Sequence, residues 1–311
     1  MAETCIIIRK SIFTFLQKYQ YFTSTPTLLA FPYAASYLLT QSLVSLSDPF
    51  PLIDDTRLRA IFLAAMFPLS SSQPFTIFNL KLSQTILTFL FVSPFAFSFL
   101  LLARASVIIK SLDGHQKVTF SSLTSLFIAL VITQFCNSLL IVAANATCFF
   151  LFAIFFIFFD ISGLPLSHAP LRFLTAIGAV IYSIILANSY VICNLASISS
   201  GMENRGGFIS ILKACVMIRG RMATALSLAV TMNMALAAIE ALFQCRVVRR
   251  FHHDLAPDSL EFMEGIFIAC LYAVFLVIDT VVSCTFWKSC RKVNQIDKYF
   301  HQIEIQVRSD G

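Results

Sequence analysis

Apolar residues fall along this chain in long runs parted by short polar stretches, not in the period-2 alternation of strands or the narrow stripes of soluble helices. Runs almost free of charge, and about long enough to cross a hydrocarbon core, occupy Pro26–Leu46, Leu82–Ala103, Arg172–Ser197, Met222–Leu242 and Gly265–Trp287. A further run, Leu123–Phe159, carries no charge at all. It exceeds one crossing of about 20 residues yet falls short of two with a turn. We read it as a surface helix followed by one crossing over residues 131–159, with a seventh span left open if Asn145 marks a tight turn. The pattern predicts an all-α integral membrane protein with about six transmembrane helices. Residues 1–25 form a cytosolic amphipathic helix, residues 26–287 a single polytopic membrane domain, and residues 288–311 a cytosolic tail.

Two polar stretches have a helical period of their own. In "IIRKSIFTFLQK" (Ile7–Lys18), Ile8, Ile12, Phe15, Leu16 and Tyr19 share one face, with cations on the other. In "SILKACVMIRGR" (Ser210–Arg221), Phe208, Ile211, Leu212, Cys215 and Ile218 do the same. At a constant offset of 203 residues, Ile8, Lys10, Ser11, Phe15 and Lys18 fall on Ile211, Lys213, Ala214, Ile218 and Arg221. Each stretch reads as a cytosolic helix lying in the interface and feeding the next span. "KVTFSSLTSLFIAL" (Lys117–Leu130) takes the corresponding place before the third span, its cations largely replaced by serine and threonine. The expected plan is a threefold internal repeat of an interfacial helix plus a membrane hairpin.

Composition agrees: 58% of residues are apolar, 12% are charged, and the mean hydropathy is +0.82. With the N-terminus inside, 15 of the 22 lysines and arginines fall on the cytosolic side. Arg57, Arg59, Lys81, Arg172, Arg246, Arg249 and Arg250 fall on the other, so both termini are expected in the cytosol. Arg9, Lys10 and Lys18 interrupt the first 25 residues, which do not read as a cleavable signal. The net charge of +6 is then a membrane-surface feature, and no basic and aromatic platform points to nucleic acid. The nine cysteines include no CxxC pair and suggest neither a disulfide framework nor a zinc site. Cys5, Cys284 and Cys290, near the cytosolic face, are candidates for palmitoylation, with a plain membrane-facing thiol the favoured reading.

The stretches "YVICNLASISS", "ILKACVMIRGR", "AAIEALFQCRVV" and "DTVVSCTFWKSCRKVNQID" resemble a plant family of multipass membrane proteins with no established biochemical activity. The matching residues are Asn194, Leu195, Ala196 and Ser197; Lys213, Arg219 and Gly220; Thr280 and Val281; and Lys288, Ser289, Ile296 and Asp297. The chain departs from that pattern where lysines and a proline are expected in the second interfacial helix. The resemblance implies location and topology, and a loose similarity to bacterial inner-membrane proteins of the same helix-and-hairpin plan; it supplies no catalytic residues.

A charge inside a membrane is costly and marks a functional candidate. Asp279 is the foremost, about two turns inside the cytosolic end of the last span. Asn188 and Asn233 fall at a comparable depth on the six-span plan, and Gln134, Asn137 or Asn145 can join them in a polar layer. Such a layer suits a cation, a small polar substrate or a proton relay; against this stands simple hydrogen bonding between helices, which we favour. Glu240, with Arg246, Arg249 and Arg250 beyond it, reads as a helix exit anchored at the interface, as Lys10, Lys18, Lys213, Arg219 and Arg221 anchor the cytosolic side. His252, His253, Asp254 and Asp258 make a weak metal candidate, and no metal or other cofactor is expected. There is no phosphate-binding glycine loop, HExxH or GxSxG, so an enzyme is not expected. The expected function is a structural or regulatory protein of a plant endoplasmic reticulum or plasma membrane that organises lipid or partner proteins. The rival is a small-solute or ion carrier built round Asp279.

Overall fold

The computed structural model of the chain describes residues 2–46, 95–112, 120–161, 168–248 and 259–309. Every element among them is helical: α1 (Ala2–Gln17), α2 (Tyr19–Leu46), α3 (Ala96–Leu112), α4 (Phe120–Ile161), α5 (His168–Glu203), α6 (Phe208–Ile218), α7 (Met222–Phe243) and α8 (Ser259–Ser309). A turn of π-helix, Gln244–Val248, continues α7. Four helices are long and apolar enough to cross a membrane: Leu123–Phe152 in α4, Ile177–Glu203 in α5, Met222–Val247 in α7 with its π turn, and Phe262–Val293 in α8. This is the composition of a membrane protein, since helices satisfy their own backbone where water is absent.

Two expected spans fit less directly. Pro26–Leu46 lies in α2, which is helical throughout but more polar than those four. Of Leu82–Ala103, residues 82–94 lie outside the described residues, and the remainder begins α3. The long charge-free run is one continuous helix of 42 residues, with no break near residue 130 where a surface helix was expected to turn into a span. Serines and threonines are tolerated there because a helix interior pairs its own backbone and their hydroxyls can bond a carbonyl one turn back, so nothing in residues 120–130 compels a stop.

α2 contains Pro26 and Pro32. Proline removes an amide donor and frees the carbonyl four residues before it. The Thr27 hydroxyl donates to the Phe22 carbonyl at 2.8 Å, which replaces the bond that Pro26 cannot make.

α3 and α8 are central. Leu101, Ala105 and Ile108 on one face of α3 enter a core with α4, α5, α6 and α7. Leu100, Ala103 and Val107 on its other face enter a second core with α2, α7 and α8. α8 divides in the same way along its length, and 56% of its apolar window is buried in protein, against 22–28% for the other three.

The corners α1–α2 and α6–α7 share backbone bonds at the offset of 203. Lys18 N–H donates to Phe15 C=O at 3.2 Å, and Arg221 N–H to Ile218 C=O at 2.8 Å. Phe22 N–H then donates to Lys18 C=O at 3.1 Å, and Ala225 N–H to Arg221 C=O at 3.0 Å. Ser11 and Ala214, equivalent at that offset, are both fully buried.

Candidate functional site

The expected polar layer is not assembled as one site. Asn233 is exposed on α7, and Asn188 is half-buried on α5. Asn145 accepts the Tyr182 hydroxyl at 2.6 Å and donates to the Ile141 carbonyl at 3.0 Å, which ties α4 to α5. Depth along a span is readable from sequence, but the side of the helix that meets a neighbour is not, and a charge-free helix carries no stripe to show it.

Several buried amides and hydroxyls form a structural seam between α4 and α5. Gly207 N–H donates to Thr133 Oγ1 at 3.0 Å, Thr133 donates to Ser200 Oγ at 2.8 Å, and Ser200 donates to the Ala129 carbonyl at 3.1 Å. One turn on, Asn137 Nδ2 donates to the Cys193 carbonyl and to Ser197 Oγ, each at 3.0 Å. Cys193, Ser197 and Ser200 of "YVICNLASISS" thus serve contacts between helices, where small side chains let backbones approach.

Asp279 has a different setting. It is 8% exposed on α8 and makes no hydrogen bond among the described residues. It lines a cavity between α5, α7 and α8 together with Asn194 and Ser283, and Asn194 Nδ2 donates to Ser283 Oγ at 3.1 Å. Asn194 was visible in the sequence only through the family resemblance, and Ser283 gave no signal there. Arg104, half-buried near the middle of α3, exerts an opposite charge on Asp279. Arg104 follows the apolar run and is expected on the cytosolic side. The helix that carries it runs on to Leu112, where the Lys288 ammonium donates to the Ser111 carbonyl.

Glu240 lies before the end of its helical run and is bonded to a neighbouring helix. The helical run continues to Val248, and the Tyr272 hydroxyl of α8 donates to Glu240 Oε1 at 3.0 Å. Arg246 pairs with Glu264 at 3.6 Å. Arg249, Arg250, His252, His253, Asp254 and Asp258 lie outside the described residues.

The two short amphipathic helices each present an apolar row outward. On α6, Phe208, Ile209, Leu212 and Val216 are exposed, while Ile211, Ala214, Met217 and Ile218 face the bundle. On α1, Ile6, Ile12, Phe13 and Leu16 are exposed beside exposed Arg9 and Lys10, while Thr4, Ile7 and Ser11 face inward. Apolar residues therefore cover both faces, and the cations of α1 share the outward face rather than opposing it. Arg219 is exposed, Lys18 and Arg221 are partly buried, and Lys213 is held by both carboxylate oxygens of Glu203 at 2.6 and 2.7 Å. Cys5 is exposed, whereas Cys284 and Cys290 are buried and closed to modification in this fold.

A family model described as a domain of unknown function (DUF8558) matches residues 7–307, and the chain belongs to that family. No curated protein and no solved structure matches the chain.

Proposed function

We propose that this member of the DUF8558 family is a structural or regulatory protein of a plant endoplasmic reticulum or plasma membrane, organising lipid or partner proteins through α1 and α6. It has about six spans on a repeated plan of interfacial helix and hairpin, with both termini cytosolic. The observation that carries the reading is the outward apolar row on α6, with its counterpart on α1. A row of large apolar side chains on a short helix is stable only against lipid or a partner, and cations beside it suit an anionic membrane surface. The equal hydrogen bonding at the Lys18 and Arg221 corners supports an internal repeat that sets both helices at the same face. The ionic contribution is about 1 kcal/mol per cation near anionic lipid. It belongs chiefly to Arg9, Lys10 and Arg219, because Glu203 neutralises Lys213.

The test is hydrogen–deuterium exchange of the full chain in nanodiscs with and without anionic lipid. The reading expects stronger protection of α1 and α6 when anionic lipid is present. Equal exchange of both helices in the two lipids contradicts it.

The carrier reading retains one observation, the cavity at Asp279. Its volume is about 30 Å³, room for about two water molecules. That volume suits a small ion with its water.

A further inference from the structure

The Asp279 cavity brings three oxygen-bearing side chains together. Its polar wall is the Asp279 carboxyl, the Asn194 amide and the Ser283 hydroxyl; the rest is apolar, including Leu228, Met232 and Phe286. Because the Asn194 amide nitrogen donates to Ser283, its carbonyl oxygen remains as an acceptor, and the Ser283 oxygen keeps a lone pair. Carboxylate, amide carbonyl and hydroxyl are hard ligands, suited to hard cations rather than to soft metals. One carboxylate balances one positive charge, and a buried carboxylate stays charged only with a partner or an ion, since otherwise the group keeps its proton. Asp279 has no ion pair among the described residues.

We propose that this cavity binds one small monovalent cation, with Na⁺ as the model ion. The Asp279 carboxylate, the Asn194 carbonyl and the Ser283 hydroxyl oxygen hold it, and water completes the shell. The inference does not rest on the lipid reading; it gives the carrier reading a chemical class. The wall extends toward the end of the bundle that carries Arg221 and Lys288. Ala225 of the wall is one turn beyond Arg221, and Phe286 is two residues before Lys288. Arg104 stands outside the wall but within electrostatic reach of Asp279, so its positive charge opposes a bound cation. Binding is therefore weak in the native chain and tighter without that charge.

The experiment is thermal unfolding of the purified full-length chain in NaCl and in N-methylglucamine chloride at equal ionic strength. Selective binding to the folded state raises Tm with ligand concentration. The expected result is a rise in Tm with Na⁺ that the organic cation does not reproduce. Asp279→Asn should abolish the rise, Ser283→Ala should shift it to higher Na⁺, and Arg104→Gln should shift it to lower Na⁺. An identical Tm in the two salts means that the cavity holds only water and overturns the proposal, as does a Na⁺ effect that Asp279→Asn retains. Should Asp279→Asn fail to accumulate, Ser283→Ala decides, because an unchanged Na⁺ response there removes a ligand without consequence. Failure on these arms leaves the lipid protection of α1 and α6 untouched, so the two readings stand or fall separately.

Discussion

Tyr272 of α8 donates its hydroxyl to the Glu240 carboxylate of α7 at 3.0 Å, and its ring stacks on Tyr37 of α2 at 5.7 Å between centroids. One tyrosine thus joins three helices. It brings an acid that reads in sequence as an interface anchor into the bundle, and the row continues through Tyr33, whose ring lies 6.0 Å from that of Tyr37.

Tyr272→Phe keeps the stacking but removes the donor to Glu240. Taking the donor from a partly buried charged acceptor costs about 1–3 kcal/mol. Glu240→Gln should cost less, because its amide oxygen still accepts the same hydroxyl. Equilibrium unfolding of the two variants in detergent checks the order, and equal stability of Tyr272→Phe and the native chain would contradict this role.

Gly206 separates α5 from α6 where a Cβ would lie 2.6 Å from the Ala129 carbonyl oxygen. That neighbour is backbone and cannot rotate away. Gly206→Ala should therefore cost about 3 kcal/mol, at the upper end of ordinary overpacking. Gly220 has φ of +86° with open space around it, so Gly220→Ala should cost only the left-handed conformation, about 1 kcal/mol. The same unfolding measurement compares them.

Thr133→Val is nearly isosteric but breaks the relay from Gly207 N–H to Ser200, leaving a buried amide without an acceptor. The expected loss is about 2 kcal/mol. Asn233→Leu, by contrast, changes an exposed position and should alter stability by less than about 0.5 kcal/mol. A large effect at Asn233 and none at Thr133 would restore the polar layer that depth alone suggested.

The class of fold was legible because a membrane helix needs length and freedom from charge, and both are visible in the runs at Met222–Leu242 and Gly265–Trp287. The pairing of helices was not. Asn137 and Asn233 look alike in sequence, yet one is buried against Cys193 and Ser197 and the other faces outward. Arg104 shows a related limit: a cation after an apolar run marks a membrane edge statistically, but it does not show where the helix stops, and α3 continues for two further turns. Asp279 was identifiable from the cost of burying its charge. Ser283, its neighbour by one helical turn, was silent because serine is cheap anywhere in a helix.

The cation distribution predicts that tags at both termini are open to protease in sealed microsomes with the cytosolic face outward, and that a tag inserted at residues 249–258 is protected. Protection of the C-terminal tag would remove the even number of spans.

The central claim, that α6 rests on the membrane through its outward row, is tested most directly by spin labels at Phe208, Ile209, Leu212 and Val216, with Asn204 and Arg205 as references. The chain is placed in anionic liposomes, and collision with oxygen is compared with collision with a water-soluble nickel chelate. The account predicts labels on the row that meet oxygen and are shielded from nickel, while the references behave in the opposite way. Row labels as open to nickel as Asn204 would contradict it.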